Sequence, residues 1–253
     1  ASKCLAFFST DEEHKDYLYY TQKSELLGKP IIKNQDIYYL FYQKQLSNAI
    51  YWFLFEVCKS LDEKGERIHK RRDKKLEKKV QSIFKNFFDS ETRIFTNYIY
   101  NEEEKDVLIL YKSLALIIEA KANKKNEPFR EPNKAFIRIK RDFKESIQKG
   151  YEQAYQIKKN FIYGSTFKIL TENGLVEINP RKYKNVFSIV ITQERYGQIQ
   201  NDLGLLLKLD ELDNTYPWSV SIDDLEVFLL TLKRKNSKVS ELISYLTNRE
   251  LLH

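Results

Sequence analysis

The sequence predicts a mixed α/β (α+β) fold, in which helices flank a central sheet. Short runs of branched apolar residues, each the length of one strand, occupy residues 107–110, 114–118 and 186–192. Long segments with apolar residues three and four positions apart lie before and after the first two runs. The chain also contains only 7 glycines and 5 prolines in 253 residues, which favours short loops and many helices.

Composition narrows the function classes. The formal net charge of +7 favours a polyanionic partner such as nucleic acid. Cys4 and Cys58 have no metal-ligand spacing and indicate no disulfide framework, so we expect a cytoplasmic protein without a zinc site. No apolar run approaches the length of a membrane span, and the first ten residues do not resemble a secretion signal.

The N-terminal part is expected to be irregular over residues 1–33, with a short strand at 17–22. Asn34 or Asp36 should then cap a long helix over residues 37–61. This helix is crowded with Tyr, Phe and Trp at helical spacing. Such a stripe indicates a core or a partner interface, and a base-stacking platform is the alternative.

Residues 62–75 are a dense charge run. Two interpretations remain open, a solvated linker with the first turns of a helix, or the edge of a nucleic-acid-binding face. The helix should continue to Phe87, with Glu77 at the margin of its apolar face. Residues 93–100 alternate as the first strand of the core.

The central prediction is a hairpin formed by the apolar runs 107–110 and 114–118. A two-residue turn between them places Asp106 directly opposite Glu119, with Cβ atoms roughly 5 Å apart. Lys121 lies two residues beyond Glu119 and therefore points to the same face.

Two facing carboxylates repel each other, and a folded chain tolerates that repulsion best with a cation between them. Hard oxygen ligands at this separation suit Mg²⁺ or Mn²⁺. A neighbouring ammonium can orient a metal-activated water or stabilise charge on a phosphate. The pattern therefore indicates metal-assisted phosphodiester hydrolysis. The plainer alternative is an edge hairpin whose terminal charges are solvated.

Asp106, a strand, and then Ile-Ile-Glu-Ala-Lys ending at Lys121 resemble the core of the PD-(D/E)xK nuclease superfamily, which has a restriction-endonuclease-like fold. The resemblance implies that the side chains of Asp106 and Glu119 and the main-chain carbonyl of Ala120 bind the metal. Lys121 would then orient water. The sequence has Lys105 before Asp106, where the family motif often has proline.

The resemblance covers residues 67–160 and implies two further site residues. A glutamine on the helix predicted over 133–159 would reach back to the site, with Gln153 the best match and Gln148 the second. Glu77 would be an additional metal ligand. Each of these residues is otherwise an ordinary polar residue on a helix surface.

Phosphate contacts are expected from basic residues that follow the hairpin. They are Lys124, Lys125 and Arg130 in the loop, and Lys140, Arg141 and Lys144 on the helix.

The remaining sequence predicts a hairpin within 167–178, because Glu-Asn-Gly is a strong turn signal. Residues 186–192 should complete a mixed sheet. Helices are expected at 223–232 and 239–252.

Three parts follow along the chain: an N-terminal helical extension (1–61), a nuclease core (62–197) and a C-terminal helical segment (198–253) that packs on it. The tail also resembles some uncharacterised bacterial nuclease-related proteins, so a further segment is expected after His253.

These features favour a Mg²⁺- or Mn²⁺-dependent endonuclease that cuts DNA by metal-activated water, in a bacterial antiviral defence or DNA-processing system. RNA remains an alternative substrate. The rival hypothesis is a catalytically silent module that binds nucleic acid or assembles proteins. A third is an interaction protein that forms a homodimer or binds a partner subunit through the aromatic helix.

Overall fold

The computed structural model describes residues 2–11, 24–62, 66–123, 125–126, 129 and 131–249. The chain divides into two compact units, Ala1–Arg71 and Arg72–His253. The strand expected at 17–22 lies outside the described residues. Within them, no helix is long and apolar enough to cross a membrane.

The first unit contains more β-structure than its sequence predicts. Its elements are α1 (Ser2–Phe7), β1 (Ser9–Thr10), a 3-10 turn, β2 (Ile31–Asn34), β3 (Ile37–Leu40) and α2 (Gln43–Ser60). Strand β1 pairs with β2 in parallel, and β2 pairs with β3 antiparallel.

The helix expected to begin at residue 37 begins at Gln43 instead. Residues 37–40 pair with β2, so that Asn34 lies opposite Ile37. Gln35 and Asp36 form the turn between the strands, and Gln35 has a φ of 53°. Asn34 and Asp36 are therefore hairpin residues, and the prediction that either caps the helix was wrong.

The helix α3 (Glu66–Phe87) carries most of the charge run. Its first turns are largely exposed, and Glu66 pairs with Lys70 one turn later at 3.8 Å. Exposed charges of this kind are compatible with both interpretations of the run. Further along, α3 buries Leu76, Val80 and Phe84, as its apolar spacing predicts.

The second unit is built on a seven-stranded mixed sheet, which confirms the predicted fold class. Its strands are β4 (Arg93–Tyr100), β5 (Glu103–Tyr111), β6 (Leu114–Lys121), β7 (Phe167–Thr171), β8 (Gly174–Ile178), β9 (Asn185–Thr192) and β10 (Trp218–Ser221). Their order across the sheet is β10-β9-β6-β5-β4-β7-β8. Strands β6, β9 and β10 are parallel, and the other neighbours are antiparallel.

Helices cover both faces of this sheet. They are α4 (Pro132–Phe143), α5 (Lys149–Tyr163), α6 (Gln198–Asn201), α7 (Ile222–Lys233) and α8 (Lys238–Asn248), and a π-helical turn at Lys144–Gln148 joins α4 to α5. One face packs against α3, α7 and α8, and the other packs against α5. Because helices cover it on both sides, the central strand β6 is apolar and buried from Leu114 to Ile118.

Strand β10 was not predicted, because residues 218–221 were expected only to lead into a helix. Trp218 pairs with Ile189 of β9, and the strand ends after four residues at Ser221. The Ser221 hydroxyl then accepts a hydrogen bond from the Asp224 amide at 3.3 Å and caps α7. A strand this short carries too few residues for an alternating pattern to be recognised.

Candidate functional site

The candidate site lies where the pairing of β5 with β6 ends. The hairpin has the predicted register, and its last pair before the site is Val107 with Ile118. Lys112 adopts a φ of 49° in the two-residue turn. Asp106 and Glu119 are the next residues on the two strands, so the fold brings the two predicted acids to the same end of one hairpin.

Asp106 is held against the neighbouring strand. Its Oδ2 accepts a hydrogen bond from the main-chain amide of Ala120 at 2.6 Å. Burial raises the pKa of Asp106, although the Ala120 amide and the Lys121 charge oppose this shift. Water is therefore largely excluded from this carboxylate, and the Ala120 amide and the Lys121 charge offset only part of the cost of its negative charge.

Glu119 is the more perturbed acid, with only 2% of its surface exposed. Burial, and then the charge of Asp106, raises the pKa of Glu119 to about 7. Lys121 opposes the shift, because its Nζ donates to Glu119 Oε2 at 3.2 Å. The Lys121 ammonium therefore does not fully offset the effects of burial and of the neighbouring Asp106 charge on Glu119.

Helix α5 holds Lys121 in place. The Lys121 Nζ also donates to Oε1 of Gln153, the glutamine that the resemblance favours. The helix approaches closely because residue 150 is glycine: a Cβ there would lie 2.6 Å from Val190 Cγ1 and 3.4 Å from Lys121 Cε. A close helix–sheet contact at Gly150 therefore positions Gln153 one turn later.

Gln148, the second candidate, has other partners. Its side chain bonds the main chain of Lys208 twice, donating to the carbonyl at 3.0 Å and accepting from the amide at 2.9 Å. It also donates to Glu152 at 3.0 Å. These bonds fasten the Lys208 segment to α5 and leave Gln153 as the glutamine of the site.

Lys105 is an electrostatic neighbour of both acids, and sequence reasoning missed it. Its side chain is fully buried, and Nζ donates to Glu103 at 2.8 Å and to Gln156 of α5. Its charge lowers the pKa of both Asp106 and Glu119. A single lysine at the start of an apolar strand is no signal of such a role. The sequence offers one hint. Gln156, which accepts a hydrogen bond from Lys105, lies three residues after Gln153 and therefore on the same side of α5.

Glu77 lies near the acids but on α3, which covers the opposite face of the sheet. Burial, and then the charges of Asp106 and Glu104, raises its pKa. Among the residues that the structure describes, however, no three His, Cys, Asp or Glu side chains are grouped as a metal site. Glu77 is thus an electrostatic neighbour of Asp106, and its role as a ligand stays a prediction.

The residues predicted to bind phosphate have different environments in the structure. Lys124 and Arg130 lie outside the described residues. Lys125 donates to the main-chain carbonyl of Arg195 at 3.1 Å. Arg141 is exposed, 3.8 Å from Asp142, and the remaining two, Lys140 and Lys144, are exposed on the wall of a groove beside α5.

The donor set fits a small divalent cation. Asp106 and Glu119 supply carboxylate oxygens, and the main-chain carbonyl of Ala120 is the further oxygen donor that the resemblance implies. The raised pKa values of both acids show that their charges are under-compensated where they lie. Mg²⁺ and Mn²⁺ take such oxygen ligands and would supply the missing positive charge.

No protein-family model matches this chain, and neither a curated protein nor a solved structure is significantly similar to it. Function must therefore be inferred from the chemistry of the hairpin and of the helix that supports it.

Proposed function

We propose that this protein is a Mg²⁺- or Mn²⁺-dependent nuclease that hydrolyses DNA phosphodiester bonds. The observation that carries the proposal is the buried carboxyl group of Glu119 and the half-buried carboxyl group of Asp106 beside Lys121, whose amine is held by Gln153. Acids with raised pKa values, a largely shielded amine and a supporting amide are the parts that enzymes arrange for acid–base and electrostatic catalysis.

Each residue has a distinct role in this proposal. Asp106, Glu119 and the carbonyl of Ala120 would hold the cation, which when bound supplies a Lewis acid for phosphate oxygens. Lys121 orients the attacking water and stabilises negative charge on the phosphate. Gln153 is a positioning residue, because it fixes the Lys121 ammonium without touching the substrate itself.

The proposal is tested by incubating purified protein with Mg²⁺ and with DNA or RNA of matched sequence. We expect DNA cleavage that falls roughly 100-fold or more in Asp106→Ala and Lys121→Ala. Lys182→Ala is the matched control, since this lysine is exposed in the turn Pro180–Lys182. Equal cleavage by the wild type and both site variants would indicate a contaminating nuclease and remove the proposal. Cleavage of RNA alone would correct the substrate.

The rival, an assembly module without catalysis, is favoured by one observation in the first unit. Helix α2 buries only Ala49 and Phe55 among its described side chains. Its exposed apolar residues are Ile50, Tyr51, Phe53, Leu54 and Val57. Surfaces of this kind mark interaction sites. This rival predicts a stable homodimer or complex and no cleavage with any divalent ion.

The proposal also includes a cellular compartment and a biological role. We place the nuclease in the cytoplasm, in a bacterial defence or DNA-processing system. Cys4 and Cys58 support a reducing compartment, because both are exposed free thiols.

A further inference from the structure

A groove of about 550 Å³ runs beside α5 in the second unit. Helix α4, the π-helical turn and α5 form one wall, and the segment 206–210 forms the other. Apolar side chains line it, with Phe143 and Tyr151 buried and Tyr155 half-buried. Its volume falls within the range of roughly 300–1,000 Å³ that is usual for ligand sites.

The side chains that line the groove carry a net charge of +1, because three lysines outnumber two acids. Lys140, Lys144 and Lys208 are exposed on its rim, and none of them has an ion-pair partner among the described residues. The groove is also lined by two acids, and each accepts a hydrogen bond from an uncharged donor. Asp210 Oδ1 accepts from the Tyr155 hydroxyl at 2.9 Å, and Glu152 accepts from a glutamine amide at 3.0 Å.

The second wall of the groove is fastened to the first. Besides the two bonds between Gln148 and Lys208, the Tyr151 hydroxyl accepts from the Asp210 amide at 2.9 Å. A buried ion pair between Lys158 and Asp213 at 2.6 Å secures the chain just beyond. The groove is therefore largely pre-formed, which lowers the entropic cost of binding there.

The groove and the candidate site lie on two sides of the same helical turns. Gly150 and Gln153 face β9 and Lys121, whereas Tyr151 and Tyr155 face the groove. An α-helix with its side chains is roughly 10–12 Å across. A single strand that passes around α5 from the groove to the site would therefore follow half of its circumference, roughly 16–19 Å.

We propose that this groove binds an unpaired, single-stranded segment of the nucleic acid substrate. Bases would rest on Tyr155 and the apolar floor, while phosphates would contact Lys144 and the other rim lysines. Paired and stacked bases of a duplex cannot enter such a groove, whereas unstacked bases can. The inference rests on the proposed nuclease function for its substrate class.

Fluorescence anisotropy with a labelled single strand and a labelled duplex, both in EDTA to prevent cleavage, tests the groove. Lys144→Gln should weaken single-strand binding and lower the slope of log K against log salt by about 0.7. Tyr155→Ala should weaken it roughly fivefold or more without changing that slope. Tyr155→Phe keeps the ring, and Lys182→Gln changes a lysine outside the groove, so both should bind like the wild type.

Duplex binding should be unchanged in Lys144→Gln and Tyr155→Ala. Single-strand binding at wild-type strength by both variants, or an equal loss for strand and duplex, would overturn the proposal. Since Lys144 is exposed, its variant remains informative even if Tyr155→Ala unfolds. Anisotropy measures binding and does not require cleavage. A failed cleavage assay would therefore remove the nuclease proposal, whereas the binding of single strands by the groove would be judged from anisotropy alone.

Discussion

Glu119 shows at the scale of one residue how burial creates chemistry. The side chain is shielded from water and lies near the charge of Asp106. The amine of Lys121 donates a hydrogen bond to it. Its charged form is disfavoured in the metal-free protein, and a bound cation would reverse that preference. Lys105 adds a second buried positive charge nearby, which the pattern of acids alone did not predict.

A pH prediction follows from Glu119. Its pKa in the folded protein, about 7, lies above the ordinary value of 4.5. Folding therefore takes up a proton between these values, and the stability of the metal-free protein falls as pH rises from about 4.5 to about 7. Glu119→Gln cannot ionise, so we expect it to raise Tm relative to wild type at pH 8 but not at pH 4.5.

Thermal melting of both proteins in EDTA across this pH range provides the measurement. Glu211→Gln serves as the control, since Glu211 is exposed and its variant should follow the wild type at each pH. A Glu119→Gln variant that is less stable than the wild type at pH 8 would show that the Glu119 charge is favourable without metal.

At the scale of an element, the local sequence pattern predicted the β5–β6 hairpin and its register. It did not predict the short strand at 37–40 or the π-helical turn. Alternation and turn spacing determine which residues of β5 and β6 are paired. Nothing local indicates that residues 37–40 would pair with β2, because the first helical turns and a short strand have similar composition there. The π-helical turn between α4 and α5 likewise has no sequence signal, yet it lies within the wall of the groove.

The contact between α5 and the sheet gives an element-scale prediction. In Gly150→Ala, the new Cβ would lie 2.6 Å from Val190 Cγ1, and a valine side chain cannot bend away. The helix must shift, so we expect a loss of about 1–3 kcal/mol in the free energy of unfolding. Cleavage should fall as well, because Gln153 moves away from Lys121.

Urea denaturation and the cleavage assay measure these two effects. Gly204→Ala is the matched control, since its new Cβ would meet its nearest atoms at an ordinary 3.6 Å. If Gly150→Ala were as stable and as active as this control, the close approach at Gly150 would not be what positions Gln153.

At the scale of the whole molecule, the sequence contains enough information for the fold class and for the hairpin acids, but not for their full environment. Apolar strand runs and helical periodicity are strong signals, and the mixed sheet agrees with them. The short strand β10, the buried Lys105 and the groove all depend on segments distant in sequence. Such arrangements appear only when the chain is folded, because no local spacing encodes them.

The central claim is that Asp106 and Glu119 share one divalent cation. Titration with Mn²⁺, followed by electron paramagnetic resonance, tests it without any substrate. We expect one Mn²⁺ per chain in the wild type and in Glu211→Gln, and binding weakened roughly tenfold or more in Asp106→Ala and Glu119→Gln. Equal Mn²⁺ binding by all four proteins, or no binding by the wild type at millimolar concentration, would contradict the account.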